Sequence, residues 1–325
     1  MEKILVTGAA GQIGSELTMA LRERYGNDNV IATGHITKPD EIVRQSGPCH
    51  LIDCARIETV AEMVERYKVD TIYHLAAILS AVAEEKPQLA WDVNMMGLYN
   101  VLEVARTYQC AVFTPSSMGA FGPSTPQDNT PQDTIQRPNT MYGVTKVAGE
   151  LLCDYYHKRF GIDTRGVRFH GLVSHKTQPG GGTTDYAFEI YYDAVKQKKY
   201  TCYLKKGTYL DMMYMPDAIK AAIDLMEANP DRLLHRNAFN VTAMSFAPED
   251  IADEIRKVFP EFVLSFEIDP VRQAIADSWP SKMDDHAARE EWGWNPEYDL
   301  ESMTQDMIEK LSQKLGRRKE NNSRG

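Results

Sequence analysis

The stretch Ile4-Leu-Val-Thr-Gly-Ala-Ala-Gly-Gln-Ile-Gly14 decides the fold of this chain. A short apolar run is followed by a glycine turn and then by the amphipathic run 16–25, which predicts a buried strand, a tight turn and a helix. In this context Gly8 permits the turn, Gly11 lets a pyrophosphate approach the backbone, and Gly14 lets the helix pack closely on the sheet. The free N–H groups at the helix N-terminus would face the phosphates. A plain glycine-rich turn is the alternative, but the position directly after the first strand favours a dinucleotide site.

Strands and helices alternate through the rest of the first half of the chain. We predict strands at 29–33, 50–53, 69–75, 111–115 and 163–169, and helices at 57–67, 87–108 and 142–160. This alternation predicts an α/β fold built on a doubly wound parallel sheet with right-handed crossovers. After residue 169 the pattern changes, which indicates a smaller C-terminal α/β domain.

We therefore expect three regions. Residues 1–173 would form a dinucleotide-binding domain, onto which the segment at about 210–242 packs back. Residues 174–314 would form a substrate-binding domain, and the polar stretch 315–325 would be a disordered tail.

The composition of the chain limits the kinds of partner that it is expected to bind. The chain has 325 residues, a net charge of -10 and a pI near 5.4, which argues against a nucleic-acid surface and an anionic-membrane anchor. No apolar run approaches the ~20 residues of a membrane span, and no signal or transit segment is expected. Five cysteines without a Cys-x-x-Cys pair indicate reduced thiols. These features favour a cytoplasmic protein with a small-molecule substrate.

Tyr142 and Lys146 are the candidate catalytic pair. A spacing of four places both side chains on one face of the predicted helix. A phenol is a poor base near neutral pH unless a neighbouring positive charge stabilises its ionised form, which Lys146 could do. Ser117 follows a predicted strand, at the edge where open α/β sheets bind ligands, and could face the same substrate hydroxyl. A chance pair on a helix and a serine turn are the alternatives for each motif taken alone.

The second predicted strand ends at an unusual residue. An acidic side chain about 20 positions after the glycines usually binds the ribose hydroxyls of NAD, but Gly34 stands there and Lys38 lies nearby. This leaves room for the 2′-phosphate of NADP. Asp53 is expected near the adenine, and His74 is interpreted as a packed core histidine. His286 lies beside two aspartates, but their spacing fits no ligand set and no metal is predicted.

Together these motifs resemble the extended short-chain dehydrogenase/reductase family, which also shares the ending 289–294. Five blocks narrow the resemblance to the short-chain-type L-threonine 3-dehydrogenases; they are 77–81, 115–122, 181–187, 212–217 and 278–280. The resemblance runs from Lys3 to about Leu315. It implies a Rossmann sheet, NAD as cofactor, oxidation of L-threonine at C3 and a homodimer in which helices 87–108 and 142–160 pair across a two-fold axis.

The resemblance also assigns roles to residues. Ser117 would hold the substrate oxygen, Tyr142 would be the base, and Lys146 would support it and bind the nicotinamide ribose. The other predicted cofactor-binding residues are Gly8, Gly11, Gln12, Ile13, Gly14, Asp53, Leu75, Ala76, Ala77, Asn94 and His170. His170 stands where the family usually has proline. The other predicted substrate-binding residues are Ser80, Gly182, Thr183, Thr184 and Trp279. A nucleotide-sugar epimerase or dehydratase of the same fold and a non-catalytic dinucleotide-binding regulator remain the alternatives.

Overall fold

The computed structural model of the protein describes residues 1–176 and 182–322, with side chains up to residue 316. The strands of these residues are β1 (Ile4–Thr7), β2 (Val30–Gly34), β3 (Cys49–Leu51), β4 (Thr71–His74), β5 (Ala111–Phe113), β6 (Ser116–Ser117), β7 (Thr164–Arg165), β8 (Val167–Phe169), β9 (Gly171–Val173), β10 (Lys199–Cys202), β11 (Leu210–Tyr214), β12 (Phe239–Asn240), β13 (Met244–Phe246) and β14 (Val263–Phe266).

The α-helices of the same residues are α1 (Gln12–Tyr25), α2 (Glu41–Gln45), α3 (Ile57–Tyr67), α4 (Ser80–Glu85), α5 (Pro87–Trp91), α6 (Gly97–Tyr108), α7 (Met141–Phe160), α8 (Tyr186–Gln197), α9 (Met215–Glu227), α10 (Pro248–Val258), α11 (Pro270–Ala276), α12 (His286–Trp292) and α13 (Leu300–Asn322). None of the helices in the described part of the chain is long and apolar enough to cross a bilayer.

The central sheet has six parallel strands in the order β3-β2-β1-β4-β5-β7. The strand order reverses direction between β1 and β4, and open α/β sheets bind ligands outside the carboxyl ends of the strands at such a point. The predicted doubly wound parallel sheet is confirmed. The remaining strands of the described residues form three shorter sheets, β12-β8-β6, β13-β11-β9 and β10-β14.

Both faces of the central sheet are covered. On β1, Ile4 and Val6 join a core cluster that includes residues of α1 and α9, whereas Leu5 joins a second cluster with residues of α3, α6 and α7. This alternation follows from the two-residue period of a strand. Residues of the segment 213–241 thus belong to the same core cluster as β1. A third cluster, built largely from α8, α10 and α13, lies in the C-terminal part. The domain boundary at residue 173 stays a prediction.

The predicted strand 163–169 is two strands in the structure. Thr164 and Arg165 belong to the central sheet, and Val167–Phe169 pairs with β6 and β12 instead. Gly166 makes the crossing possible, because a Cβ there would lie 2.3 Å from the Thr114 carbonyl oxygen. The sequence pattern of these seven residues does not reveal this step, since each half is a plausible strand.

Two helix predictions also differ from the structure. The predicted helix 87–108 is interrupted by the π-helical turn Asp92–Met96, a type of turn that often marks functional sites. The stretch 315–322, which lies in the tail expected to be disordered, is part of α13 and continues that helix to Asn322. The stretch 313–322 lacks proline and is rich in good helix formers, which explains its helicity. Residues 323–325 lie outside the described residues.

Candidate active site

The glycine turn after β1 is packed against the end of β4. Gly8 has a φ of +73°, and a Cβ on it would lie 2.7 Å from the Ala76 nitrogen. A Cβ on Gly14 would lie 2.2 Å from the Gly8 carbonyl oxygen, so Gly14 allows α1 to approach the turn itself rather than the sheet. A Cβ on Gly11 would meet only this same oxygen, at 3.3 Å. The turn is therefore closed on its inner side and open above Gly11.

The N-terminus of α1 suits a phosphate. Gly11 is its N-cap and offers no side-chain hydrogen bond, and the first turn, which contains Gln12 and Ile13, has no acidic residue. The N–H groups of this turn and the positive end of the helix dipole are thus available to an anion. With the open face above Gly11, these residues fit the pyrophosphate of a dinucleotide.

The side expected to bind adenosine is formed by the ends of β2 and β3. The Ala9 nitrogen donates to the Thr33 carbonyl at 2.8 Å, which places the end of β2 beside the glycine turn. Asp53 follows β3 and is half-buried, and its carboxylate accepts a hydrogen bond from the Ala55 nitrogen at 3.0 Å. Its expected proximity to an adenine stays a prediction.

Asn94 joins three segments around the predicted nicotinamide side. It lies in the π-helical turn, accepts from the Ile78 nitrogen at 2.7 Å, and donates to the Ile78 carbonyl and to Thr145 Oγ1, each at 3.1 Å. The amide therefore fixes the segment that contains Leu75, Ala76 and Ala77 relative to α7. Those residues, Asn94 and Lys146 line one cavity.

Ser117, Tyr142 and Lys146 meet at the carboxyl ends of β5 and β6. Thr140 caps α7, accepting from the Gly143 nitrogen at 3.0 Å, and so starts the helix one residue before Tyr142. The Lys146 ammonium lies 5.4 Å from the centre of the Tyr142 ring and donates to the Pro115 carbonyl at 2.8 Å.

Gly119 lets the tyrosine approach the serine. A Cβ on Gly119 would lie 3.1 Å from Cδ1 of Tyr142 and 3.5 Å from Oγ of Ser117, so both side chains border the same small residue. The Ser117 hydroxyl accepts from the Gly119 nitrogen at 3.1 Å, which leaves its own proton to donate. Sequence spacing predicted the Tyr142 and Lys146 face, and the structure brings Ser117 to it.

A buried ionic network beneath this face was not predicted. Glu150 and Arg168 form a two-point ion pair, with Nε to Oε1 at 3.1 Å and Nη2 to Oε2 at 2.9 Å. The carboxylate also accepts hydrogen bonds from Ser116 and from Gln136. Ser116 adjoins Ser117, so the network holds the end of β6 against α7. No pattern in the sequence signals it, because Arg168 lies 18 residues from Glu150 on a different element.

His74 is buried at the end of β4, in agreement with its interpretation as a core histidine. Its Nδ1 lies 2.8 Å from Thr7 Oγ1. Burial, and secondarily the charge of Lys146, lowers the pKa of His74 to about 3. The ring is therefore neutral at physiological pH and lines the cavity as an uncharged group.

This pKa predicts a pH-dependent loss of stability. The native ring stays neutral while the unfolded chain takes up a proton below about pH 6.5, so the free energy of unfolding should fall between about pH 6.5 and 3, by about 1.4 kcal/mol per unit from this group. A His74→Asn variant should lose that part of the slope in urea unfolding at several pH values. His286 is exposed, so His286→Asn is the control and should keep the full slope. Equal slopes for wild type and His74→Asn would contradict the assignment.

Two of the predicted substrate residues, Ser80 and Trp279, lie on segments that contact elements of this face. Ser80 begins α4, which is attached to the start of α7 by Glu84, whose carboxylate accepts from the Met141 nitrogen at 2.6 Å. Trp279 packs against Met118 and Phe121, next to Ser117. The glycine-rich part of the predicted loop, 177–181, lies outside the described residues.

The remainder of that loop is held by Tyr203, which was not predicted. Its hydroxyl accepts from the Tyr186 nitrogen at 2.8 Å and lies 3.3 Å and 3.2 Å from the carbonyls of Gly182 and Thr183. Thr183 is buried, and the methyl group of Thr184 faces Gly171. Nothing in the spacing of Tyr203 indicates this role.

The His170 side chain is enclosed by the protein and has other partners than a cofactor. Its Nε2 lies 2.8 Å from the Val241 carbonyl and 3.7 Å from Asp211, and the imidazole is fully buried. Only the backbone of His170 could therefore contact a cofactor.

Comparison with known proteins places these features in a family. Residues 4–242 match the NAD dependent epimerase/dehydratase family. An uncharacterized epimerase/dehydratase of Staphylococcus haemolyticus is 57% identical over 97% of this chain and 99% of its own length. The structure of an L-threonine dehydrogenase from Clostridium difficile is 59% identical over 97% of this chain and 98% of that chain, with a TM-score of 0.95.

A monomeric L-threonine 3-dehydrogenase from a metagenome is 47% identical over 95% of this chain and 99% of that chain, with a TM-score of 0.89. The family resemblance inferred from the motifs is thus confirmed. The chain belongs to the NAD dependent epimerase/dehydratase family, within the extended short-chain dehydrogenases/reductases, and NAD is its cofactor.

Proposed function

We propose that the protein oxidises L-threonine at C3 to 2-amino-3-oxobutanoate with NAD. The observation that carries this proposal is the convergence of Ser117, Tyr142 and Lys146 beside an open glycine turn. The similarity to two solved structures named as L-threonine dehydrogenases supports the choice of substrate.

The proposed reaction removes two hydrogens from the alcohol, one as a proton and the other as a hydride. Tyr142 takes the proton of the C3 hydroxyl, and the C3 hydrogen leaves as hydride, so that the C–O bond becomes a carbonyl. NAD, when bound, supplies the hydride acceptor. Ser117 donates a hydrogen bond to the substrate oxygen, and the Lys146 ammonium stabilises the phenolate.

The surrounding residues would position the amino acid. Thr183, fixed through Tyr203, and Trp279 would form opposite walls of the pocket, with Ser80 above it. Exclusion of water by these walls would strengthen the electrostatic contacts of the phenolate.

Formation of NADH from NAD tests the proposal. Purified protein should increase the absorbance of NADH at 340 nm with L-threonine and NAD, and a panel of sugar nucleotides should give no turnover. Conversion of a sugar nucleotide without threonine oxidation would establish instead the epimerase or dehydratase activity that the family name suggests. Cofactor binding without any turnover would favour a non-catalytic regulator, against which the intact Ser117, Tyr142 and Lys146 argue.

We further propose that the protein is a homodimer. Large apolar side chains are exposed on α5, α6 and α7, the helices expected to pair; they include Trp91, Tyr99, Leu151 and Tyr155. An exposed apolar face of this kind is typical of a protein–protein interface. Sedimentation velocity should give the mass of a dimer for the wild type and of a monomer for Leu151→Glu. A monomeric wild type, as the name of the metagenomic relative describes that protein, would contradict this part of the proposal.

A further inference from the structure

The loop between β2 and α2 occupies the place of the acidic residue that NAD sites usually carry. Gly34 ends β2, and a Cβ on it would lie 2.4 Å from the Thr37 carbonyl oxygen and 2.9 Å from Cδ of Pro39. The loop thus folds back over Gly34. No carboxylate can reach the ribose from this position while the loop keeps its conformation.

The neighbouring acidic groups are already engaged. Asp40 caps α2 and accepts from the Val43 nitrogen at 2.8 Å, and Asp53 accepts from the Ala55 nitrogen at 3.0 Å. A carboxylate that satisfies backbone N–H groups is held by them and is less available to a ribose hydroxyl. Neither of these two carboxylates stands at the end of β2, where the acidic side chain of an NAD site would face the 2′ position.

The same loop presents a cation. Lys38 is exposed and forms no hydrogen bond or ion pair with any residue that the structure describes. His35 is exposed next to Gly34. Because the ribose of a dinucleotide lies between the glycine turn and the carboxyl end of the second strand, both side chains belong to the loop that borders the 2′ position.

We propose that the adenosine end of this site accepts a 2′-phosphate, so that the protein binds NADP as well as NAD, with Lys38 as the phosphate-binding residue. A carboxylate at the end of β2 would repel that phosphate, and like charges in contact discriminate strongly between ligands. Gly34 removes the repulsion, and the Lys38 ammonium adds an attraction that salt should screen.

Binding measurements test this inference independently of catalysis. We expect dissociation constants for NAD and NADP, measured by titration calorimetry, to differ by less than about tenfold. Adenosine 2′,5′-bisphosphate should bind at least as tightly as 5′-AMP, since these probes report the adenosine end alone. A preference for NAD of more than tenfold, or for 5′-AMP, would overturn the proposal. Absence of threonine oxidation would affect the proposed function but not this result.

Substitutions of Lys38 and Gly34 test which groups determine the affinity for NADP. Lys38→Gln should weaken NADP binding and its salt dependence without affecting NAD, and the exposed Lys206→Gln is the control that should change neither. Unchanged NADP affinity in Lys38→Gln would overturn the role of Lys38. Gly34→Ala and Gly34→Asp both displace the loop through their Cβ, so their difference isolates the charge. Gly34→Asp should bind NADP more weakly than Gly34→Ala does, and equal affinities would contradict the electrostatic argument.

Discussion

Replacing Tyr142 by phenylalanine is expected to reduce turnover with L-threonine by about 10²–10⁴-fold, the range that a general base contributes. The reason is specific to the hydroxyl. The ring packs against Gly119, and phenylalanine keeps that packing while it removes the hydroxyl proposed to take the substrate proton. Affinity for NAD should therefore be unchanged, and kcat should fall rather than KM rise.

The measurement is steady-state NADH formation together with a calorimetric NAD titration. Tyr209→Phe is the matched control, because Tyr209 is exposed on the C-terminal part of the chain, outside the site. Turnover by Tyr142→Phe at the wild-type rate would show that another group takes the proton. Loss of NAD binding together with turnover would show that the hydroxyl acts mainly in cofactor binding.

Replacing Glu150 by alanine is expected to lower the free energy of unfolding by about 3–5 kcal/mol, the usual result of removing one partner of a buried ion pair. Arg168 would retain hydrogen bonds to the Gln132 carbonyl and to Asn240, but its charge would lose its counter-ion. Ser116 and Gln136 would also lose their acceptor. This penalty exceeds that of a typical surface substitution severalfold.

Urea unfolding of the wild type and of Glu150→Ala measures the difference in their free energies of unfolding. Asp253→Ala, which removes an exposed ion pair with Arg256, is the control and should cost less than about 1 kcal/mol. The loss of unfolding free energy for Glu150→Gln should lie between those of Glu150→Ala and Asp253→Ala, since the amide oxygen still accepts hydrogen bonds. A loss below about 1 kcal/mol for Glu150→Ala would mean that the network contributes little, and its role in holding β6 against α7 would have to be abandoned.

Local patterns in the sequence predict much of this molecule. The glycine turn and the face shared by Tyr142 and Lys146 depend on residues close together in the chain, so their spacing predicts them. The parallel sheet is predicted because strand and helix patterns, each of them local, alternate along the chain. The helix at 57–67 has the predicted bounds, since its strong amphipathic periodicity defines them.

The features that spacing missed depend on long-range contacts. Arg168 meets Glu150 through the crossing of β8, and the Tyr203 hydroxyl reaches a loop about 20 residues earlier. Neither contact can be read from periodicity, because a hydroxyl or guanidinium group gives no sign of its partner. The roles assigned to the individual site residues stay predictions until variants are measured.

The crossing at Gly166 limits changes in the length of the chain, because it sets the register of β8. Val167 and Phe169 join the core cluster of β1, whereas Arg168 turns to the opposite side, toward Glu150. One added residue between Gly166 and Val167 would exchange the two sides, exposing a guanidinium to the apolar interior and two hydrophobic side chains to the carboxylate. Insertions and deletions should therefore be selected against at this point of the chain.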